Sequence, residues 1–492
     1  METNSKIDNL ILTDSQQRAL EKIIEFIESS AGKVFILKGY AGTGKTTLVS
    51  AILGELGKKR LPYSLLASTG RAAKVLSNKL YNMGSGEKSQ GLTTKTVHSE
   101  IYEFADINQD LDLFGQPSDE APEKDRKAVK LEFVLSKKAL FCHNMVYIID
   151  DASMISDNKP KTMSQAEYGT DGRLLQDLLA YDRSGKFIFI GDACQLPPIN
   201  ASFSPALSAD YFSERFGINA EEAELTEIVR QASGNDISVA AARIRKLSLS
   251  PGYGNIAKFP FRGYNNIHIL KNEYELLNEY IKSISDQDYS GATMIAMSNK
   301  TVNSLSNIIR PVLGFRSRTV SVGDLLLVTQ NNMISGLMNG DLLKVVQVGQ
   351  REYRACLTFV HVEVQSLDTN EVYSQLLIED ILCSGLTNIT QEQQTGLYVD
   401  YHIRMKALDI KQESKEYKEN MFRDPYLNAL RCVFGYALTC HKSQGGEWDK
   451  VFLVIPRGLP YNDPRSYAYQ WVYTAMTRAR KELYVINDYW IC

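Results

Sequence analysis

The segment GYAGTGKTT at positions 39–47 sets Gly39, Gly44, Lys45 and Thr46 in the spacing GxxxxGK[ST]. At that spacing the backbone N–H groups of Ala41, Gly42, Thr43, Gly44 and Thr47 can wrap a polyphosphate. The Lys45 ammonium opposes its β and γ phosphates, and the Thr46 hydroxyl is left for Mg²⁺. A bare glycine turn is the alternative, but the apolar run VFILKG before it and the helical pattern TTLVSAILGEL after it supply the context such a loop needs. A metal-bound triphosphate also needs carboxylates, and YIIDDAS (147–153) ends an apolar run in Asp150 and Asp151. Asp150 suits a Mg²⁺ ligand, directly or through water, and Asp151 could orient an attacking water. In GDACQLPPI (191–199), Asp192 reads as structural and Gln195 as a group within reach of the γ-phosphate.

Two blocks near the other end carry further candidates. YALTCHKSQGGEWDKVFL (436–453) runs from an apolar strand through a polar turn into a second strand and holds His441, Lys442, Ser443, Gln444 and Glu447. WVYTAMTRARKELYVI (471–486) reads as a helix with Thr474, Arg478 and Lys481 on one face, then the strand ELYVI. An arginine at a domain boundary is suited to neutralise charge on a transferring phosphoryl group. Composition alone leaves Arg478 equally readable as a surface charge.

These residues must be held by a scaffold of short buried strands. YSLLAS (63–68), MVYIID (145–150), FIFIGD (187–192) and TMIAMS (293–298) do not alternate in polarity, as expected of parallel strands covered on both faces. Helical patterns separate most of them. The first is LTDSQQRALEKIIEFIES, with Thr13 or Asp14 as cap and Ala19, Leu20, Ile23, Ile24 and Ile27 at helical spacing. The fold class is therefore α/β with repeated strand–helix units. Two regions depart from that plan. Residues 101–139 enclose a polar, Pro- and acid-rich centre and suggest a small insertion or hairpin. Residues 342–405 are β-branched and alternating, the mark of a small antiparallel sheet or barrel, and 407–422 reads as a solvated helix.

Composition bounds the rest. The 492 residues allow three or four domains, and 44% hydrophobic with 23% charged residues is ordinary for globular chains. With 55 Lys and Arg against 58 Asp and Glu, the net charge of -3 excludes a basic coat, so a polyanion site has to be a local groove. The seven cysteines form no CxxC pair, which suits a reducing compartment and argues against a zinc or iron–sulfur site. No run reaches about 18 apolar residues, so no membrane span is expected and a cytoplasmic setting is.

Taken in order, the blocks resemble a superfamily 1B DNA helicase of the RecD-like and Dda-like group. LTDSQQ resembles the adenine-reading glutamine motif, with Gln16 as reader, and GYAGTGKTT the first motif. STGRAAKVL (68–76) and TTKTVHS (93–99) resemble motifs Ia and Ib, while IIDDAS and GDACQLPPI resemble the second and third. LTEIVRQ (225–231) resembles the fourth and gives Arg230 as a second γ-phosphate contact. AMSNKTVNSLSNIIR (296–310) resembles the segment that opens the second motor domain, and the last two blocks resemble the fifth and sixth motifs. The chain departs from the family pattern at Asp151, where the second motif usually has Glu.

The resemblance implies two RecA-like motor domains that clamp Mg-ATP between them. The first would take 1–100 and 140–232, with a pin at 101–139. The second would take 233–341 and 431–492, with an SH3-like domain at 342–430. It implies 5′ to 3′ translocation on single-stranded DNA and unwinding at ss/ds junctions. Thr69, Arg71, Thr96, His98, Asn299, Thr439, His441, Lys442 and Ser443 would lie along the strand, each as readily a scaffold residue. Phe114 could be a wedge at the pin tip or a core residue of the insertion. Glu447 would join the nucleotide site. A monomer is the default, because one chain holds both halves of the cleft. Replication or recombination proteins are the partners implied, and a bacterial nucleoid or phage-infected cell the setting. Two other readings stand beside the helicase: an RNA-directed ATPase, and a hydrolysis-deficient DNA-binding factor, for which Asp151 is the one feature in favour.

Overall fold

The computed structural model describes residues 11–83, 94–109, 111, 129–141, 144–160, 166–227, 235–250, 256–461 and 464–492. The non-alternating apolar runs pair side by side in parallel. One sheet has the order Lys95–Thr96, Tyr63–Ala67, Val146–Asp150, Lys186–Gly191, Val34–Gly39, Glu221–Leu225. Its register sets Lys38 opposite Gly191, and Ala67 opposite Asp150. The ends of four strands, and the loops that leave them, therefore share the carboxyl edge, where open parallel sheets place their ligands. Two apolar clusters cover the faces, one around Phe26, Leu48 and Ile188, the other around Tyr147, Phe187 and Phe212.

A second parallel sheet has the order Ile267–Leu270, Ala479–Ile486, Trp448–Leu453, Ala292–Ala296, Ala437–Thr439. Its core runs on without a break into an antiparallel sheet of order Val372–Ile378, Leu357–Ser366, Leu342–Arg354, Leu325–Val328, Cys432–Phe434. The joint is fixed by a buried bidentate pair between Arg310 and Asp324, with the Tyr436 hydroxyl donating to the same carboxylate at 2.8 Å.

The expected sheet over 342–405 is partly corrected. Strands stop at Ile378, and Asp380–Ser384, Gln391–Ala407 and Lys415–Met421 are helices. Thr390 and Gln393 close a capping box at the second of these, and Leu397, Tyr398, Tyr401 and Met405 form its buried stripe. After Ala407 the charged stretch 407–422 becomes helical again only at Lys415, and it buries Tyr417 and Met421, so it is not simply solvated.

In the first half, Tyr102–Ile107 and Leu131–Leu135 form an antiparallel hairpin, and Ala166–Tyr168 adds to it in parallel from outside the expected segment. The hairpin is docked on the second half. Phe104 meets Phe422 edge-on at 5.2 Å, Lys418 reaches the Ala105 carbonyl and Asp106, and the Gln412 side chain bonds to Gln109 and Leu111. Among the described residues no helix is long and apolar enough to cross a membrane.

Candidate nucleotide cleft and nucleic-acid face

The chain leaves strand Val34–Gly39 through a loop that turns back at Gly42 and Gly44, whose φ angles of 83° and 78° are left-handed and suit glycine. A Cβ at Gly44 would also collide with the Gln16 amide. Helix Lys45–Lys58 then starts with no side-chain cap, so its first N–H groups are free to meet an anion. The Lys45 ammonium folds back to donate to the Gly39 and Tyr40 carbonyls at 2.7 and 3.0 Å.

Around that loop the two parallel sheets make one cleft. It is lined by Ala41, Gly42, Gly44, Lys45, Thr46, Thr47, Asp150, Asp151, Asp192 and Gln195 from the first half, and by Glu447, Thr477 and Arg478 from the second. Burial raises the Asp150 carboxyl above the usual range. Burial, and then the neighbouring Asp150, push Asp151 up to about 6, partly offset by Arg478 and Lys45. One Asp151 oxygen is buried without a partner, and so is the Gln195 side-chain carbonyl oxygen. Asp151 also has φ 51°, a left-handed backbone that Asp adopts more readily than most residues. That backbone is a reason for Asp here that side-chain length alone does not supply.

Arg478 does not sit on the helix with Thr474. That helix ends at Met476 and the strand begins at Ala479, so Arg478 falls at the junction, while Lys481 is an exposed strand residue paired with Asp449. The correction gives the guanidinium its geometry. It is buried and held by the Thr474 and Gly446 carbonyls at 3.1 and 3.4 Å, which fixes it at the cleft wall.

Other candidates are placed differently. Gln16 is buried; its carbonyl accepts from the Thr13 N–H in a capping box and its amide donates to Thr43 at 3.0 Å. It braces the loop and is not among the residues that line the two recesses beside it. Thr43 is likewise internal, with its hydroxyl on the Tyr40 carbonyl. A second recess opens beside Tyr40, Ala41 and Gly42, bounded by Asn235, Ser238 and Arg245, with the Arg245 guanidinium 3.7 Å from the Tyr40 ring centre. Glu447 borders both recesses and pairs with Lys79 and Arg480 at 3.1 and 3.5 Å.

On the expected DNA line, Asn299, Thr439 and Lys442 meet at one recess, and burial lowers the Lys442 ammonium. His98 is exposed on a different groove, whose walls are Phe133 and Tyr168 of the hairpin sheet and Asn331, Tyr398 and Phe422 of the second half. Thr69 and Thr96 cap the helices that follow them, with hydroxyls accepting from Ala72 and Ser99. Arg71 and Ser443 leave the line. Arg71 is 5% exposed, stacks 4.7 Å from the Trp448 ring and donates to the Gly340 carbonyl, so it is a strut between the halves. Ser443 is fully buried and donates to the Cys440 carbonyl. His441 is half-buried, with its ring on the Pro197 carbonyl and its basicity lowered by burial. Arg230 and Phe114 lie outside the described residues.

Sequence reasoning missed Tyr473. Its hydroxyl accepts from the Ala41 N–H at 3.0 Å and donates to Asp192 at 2.7 Å. Nothing in the one-dimensional pattern distinguishes it from the other buried aromatics of its helix.

Two α/β halves that share one cleft around the GxxxxGKT loop define a two-sheet P-loop architecture. Family comparisons agree: an AAA domain model matches residues 11–250, and a UvrD-like helicase C-terminal domain model matches 434–486. An uncharacterised protein of Methanocaldococcus jannaschii is 24% identical over 98% of this chain, which spans 39% of that relative's length. The ATP-dependent DNA helicase Dda of Enterobacteria phage T4 is 24% identical over 96% of this chain and 99% of its own. A solved Pif1 helicase from Bacteroides in complex with ADP-AlF3 and ssDNA is 18% identical, with a TM-score of 0.46 over 98% of this chain and 93% of that one. Over nearly its whole length the chain is thus similar to helicases of the RecD-like and Dda-like group.

Proposed function

We propose that this protein is an ATP-dependent DNA helicase that moves 5′ to 3′ along single-stranded DNA and parts duplex ahead of it. The observation that carries the reading is the meeting, in one cleft, of Lys45, Thr46, Asp150, Asp151 and Gln195 from one half with Arg478 from the other. The similarity to Dda, a DNA helicase over nearly its whole length, supports DNA as the track.

The donor set fits Mg²⁺: a hydroxyl from Thr46 and a carboxylate from Asp150 border the same space. Magnesium commonly takes only one or two protein oxygens beside phosphate and water, so a dedicated cluster of three acids is not needed. When bound, the ion would screen charge on the β and γ phosphates. The N–H groups of Gly42, Gly44 and Thr47 and the Lys45 ammonium hold the triphosphate, since those of Ala41 and Thr43 are given to the Tyr473 hydroxyl and the Tyr40 carbonyl. Asp151, ionised, orients a water and accepts its proton, Gln195 helps align that water, and Arg478 neutralises the γ-phosphoryl group as the bond to ADP breaks. Because Arg478 belongs to the second half, hydrolysis requires the two halves to be closed.

The strand would cross the face that carries Asn299, Thr439 and Lys442 and the groove by His98. The hairpin docked on residues 412–422 would act as the pin, with the antiparallel sheet closing over it. The aromatic walls of that groove suit stacking that ignores base identity. Steady-state ATP hydrolysis with single-stranded DNA, duplex DNA or single-stranded RNA, followed by unwinding of duplexes with 5′ or 3′ tails, tests the reading. Stimulation by single-stranded DNA and unwinding from the 5′ tail are expected. Preference for RNA, unwinding from the 3′ tail, or no turnover would overturn the corresponding part.

A further inference from the structure

The loop that would wrap the phosphates is gripped from the opposite half of the molecule. Tyr473, on helix Arg465–Met476 of the second half, is 1% exposed and stands between Ala41 and Asp192 of the first. Its hydroxyl has one proton. Asp192 is an acceptor, so the proton goes to its carboxylate at 2.7 Å and the oxygen is left to accept the Ala41 N–H at 3.0 Å. Burial, with Asp192 beside it, keeps the phenol protonated. The other oxygen of Asp192 accepts the Cys194 N–H at 3.0 Å. One residue on, the Thr474 hydroxyl accepts the Leu196 N–H at 2.8 Å and donates to the Gln470 carbonyl. Two neighbouring side chains of one helix thus hold the phosphate loop and the segment 192–196, which carries Gln195.

We infer that Tyr473 is a positioning residue that couples the phosphate loop to the second motor domain through the relay Ala41 N–H, Tyr473 hydroxyl, Asp192 carboxylate. This rests on the ATP-driven reading proposed above. Ala41 lies in the loop whose N–H groups would face phosphate, so a shift of that amide on nucleotide binding moves the donor that the second half holds. The movement then passes to the helix whose end sets Arg478, and through Asp192 to Gln195. A tie that only stabilised the fold would not need to end on a phosphate-loop amide.

The test compares the intact protein with Tyr473→Phe, which removes only the hydroxyl. The affinity for oligo(dT) is measured with and without a non-hydrolysable ATP analogue, and the ratio is the coupling between the two sites. In Tyr473→Phe the analogue should still bind within about threefold, while the ratio falls at least fivefold toward one. DNA stimulation of kcat should fall with little change in KM for ATP. Asp192→Asn, which weakens the same relay, should act alike and add little to Tyr473→Phe, as expected of one unit. It also serves if the first variant does not fold. A preserved ratio in both variants overturns the inference. If the parent protein binds no nucleotide, the ATP-motor reading fails on its own, and exchange of the Ala41 amide decides the tether: faster exchange in the variants supports it and unchanged exchange overturns it.

Discussion

The nucleotide cleft and the DNA face are built from the same kind of short motif, yet folding treats them differently. In the cleft, Lys45, Thr46, Asp150, Asp151, Gln195 and Arg478 converge on one space. On the DNA line, Asn299, Thr439 and Lys442 meet, but Thr69 and Thr96 are helix caps, Arg71 is a buried strut and Ser443 is internal. A triphosphate is small and highly charged, so its site is dictated by local backbone geometry. A polymer track is a surface, and which residues reach a surface depends on how separate elements pack. A threonine before a helix satisfies an orphan N–H whether or not it also meets a phosphate.

That contrast is open to direct attack. The largest effect is expected at Lys45 and Arg478. Lys45→Ala should abolish ATP turnover and leave DNA binding largely intact; unchanged turnover would sink the phosphate assignment. Arg478→Ala should cost about a thousandfold in kcat with a far smaller loss of nucleotide affinity, measured by single-turnover kinetics and analogue binding. Equal losses in both would demote Arg478 to a binding group.

Asp151 links the cleft's chemistry to its stability. Its carboxyl is raised to about 6 by burial and by Asp150. As the required form is ionised, kcat/KM, which reports the free protein, should fall as pH drops through that value. The stability sign is opposite. A raised acid is accommodated best when protonated, so its favourable contribution is full below the unfolded value of about 3.9 and lost as pH rises through about 6. Asp151→Asn should therefore remove turnover yet raise Tm at pH 8 by a few degrees more than at pH 5. Equal shifts at both would argue against a strained carboxylate. Asp151→Glu preserves the acid but places a longer side chain at φ 51°; a large drop in turnover would mean the cleft is built around the shorter residue.

Smaller effects separate the exposed from the buried part of the DNA line. Lys442→Ala should weaken oligo(dT) binding and lower its salt slope by about one. Arg71→Ala should change that slope little while lowering Tm, since it removes packing on Trp448 and the bond to Gly340. If Arg71→Ala instead lowers the salt slope as Lys442→Ala does, Arg71 swings out onto the strand and the buried assignment fails. Ser443→Ala should leave DNA binding unchanged and cost about 1 kcal/mol of stability, read from denaturant midpoints.

The residues themselves determined a good deal. Four apolar runs announced buried parallel strands, and GxxxxGK[ST] between a strand and a helix announced the phosphate loop. These signals are local: a few consecutive residues carry the backbone geometry and the chemistry together. The capping box at Thr390 and Gln393 is equally local, but the β-branched runs that precede it favour strand over the same stretch. Tertiary structure alone decided that Gln16 spends its amide on Thr43, that Arg71 lies on Trp448, and that Tyr473 joins Ala41 to Asp192 across the cleft. Each of the last two contacts spans hundreds of residues of chain, where no periodicity operates. A buried polar atom must find its partner wherever packing brings one within about 3 Å, and only the folded chain specifies where that is.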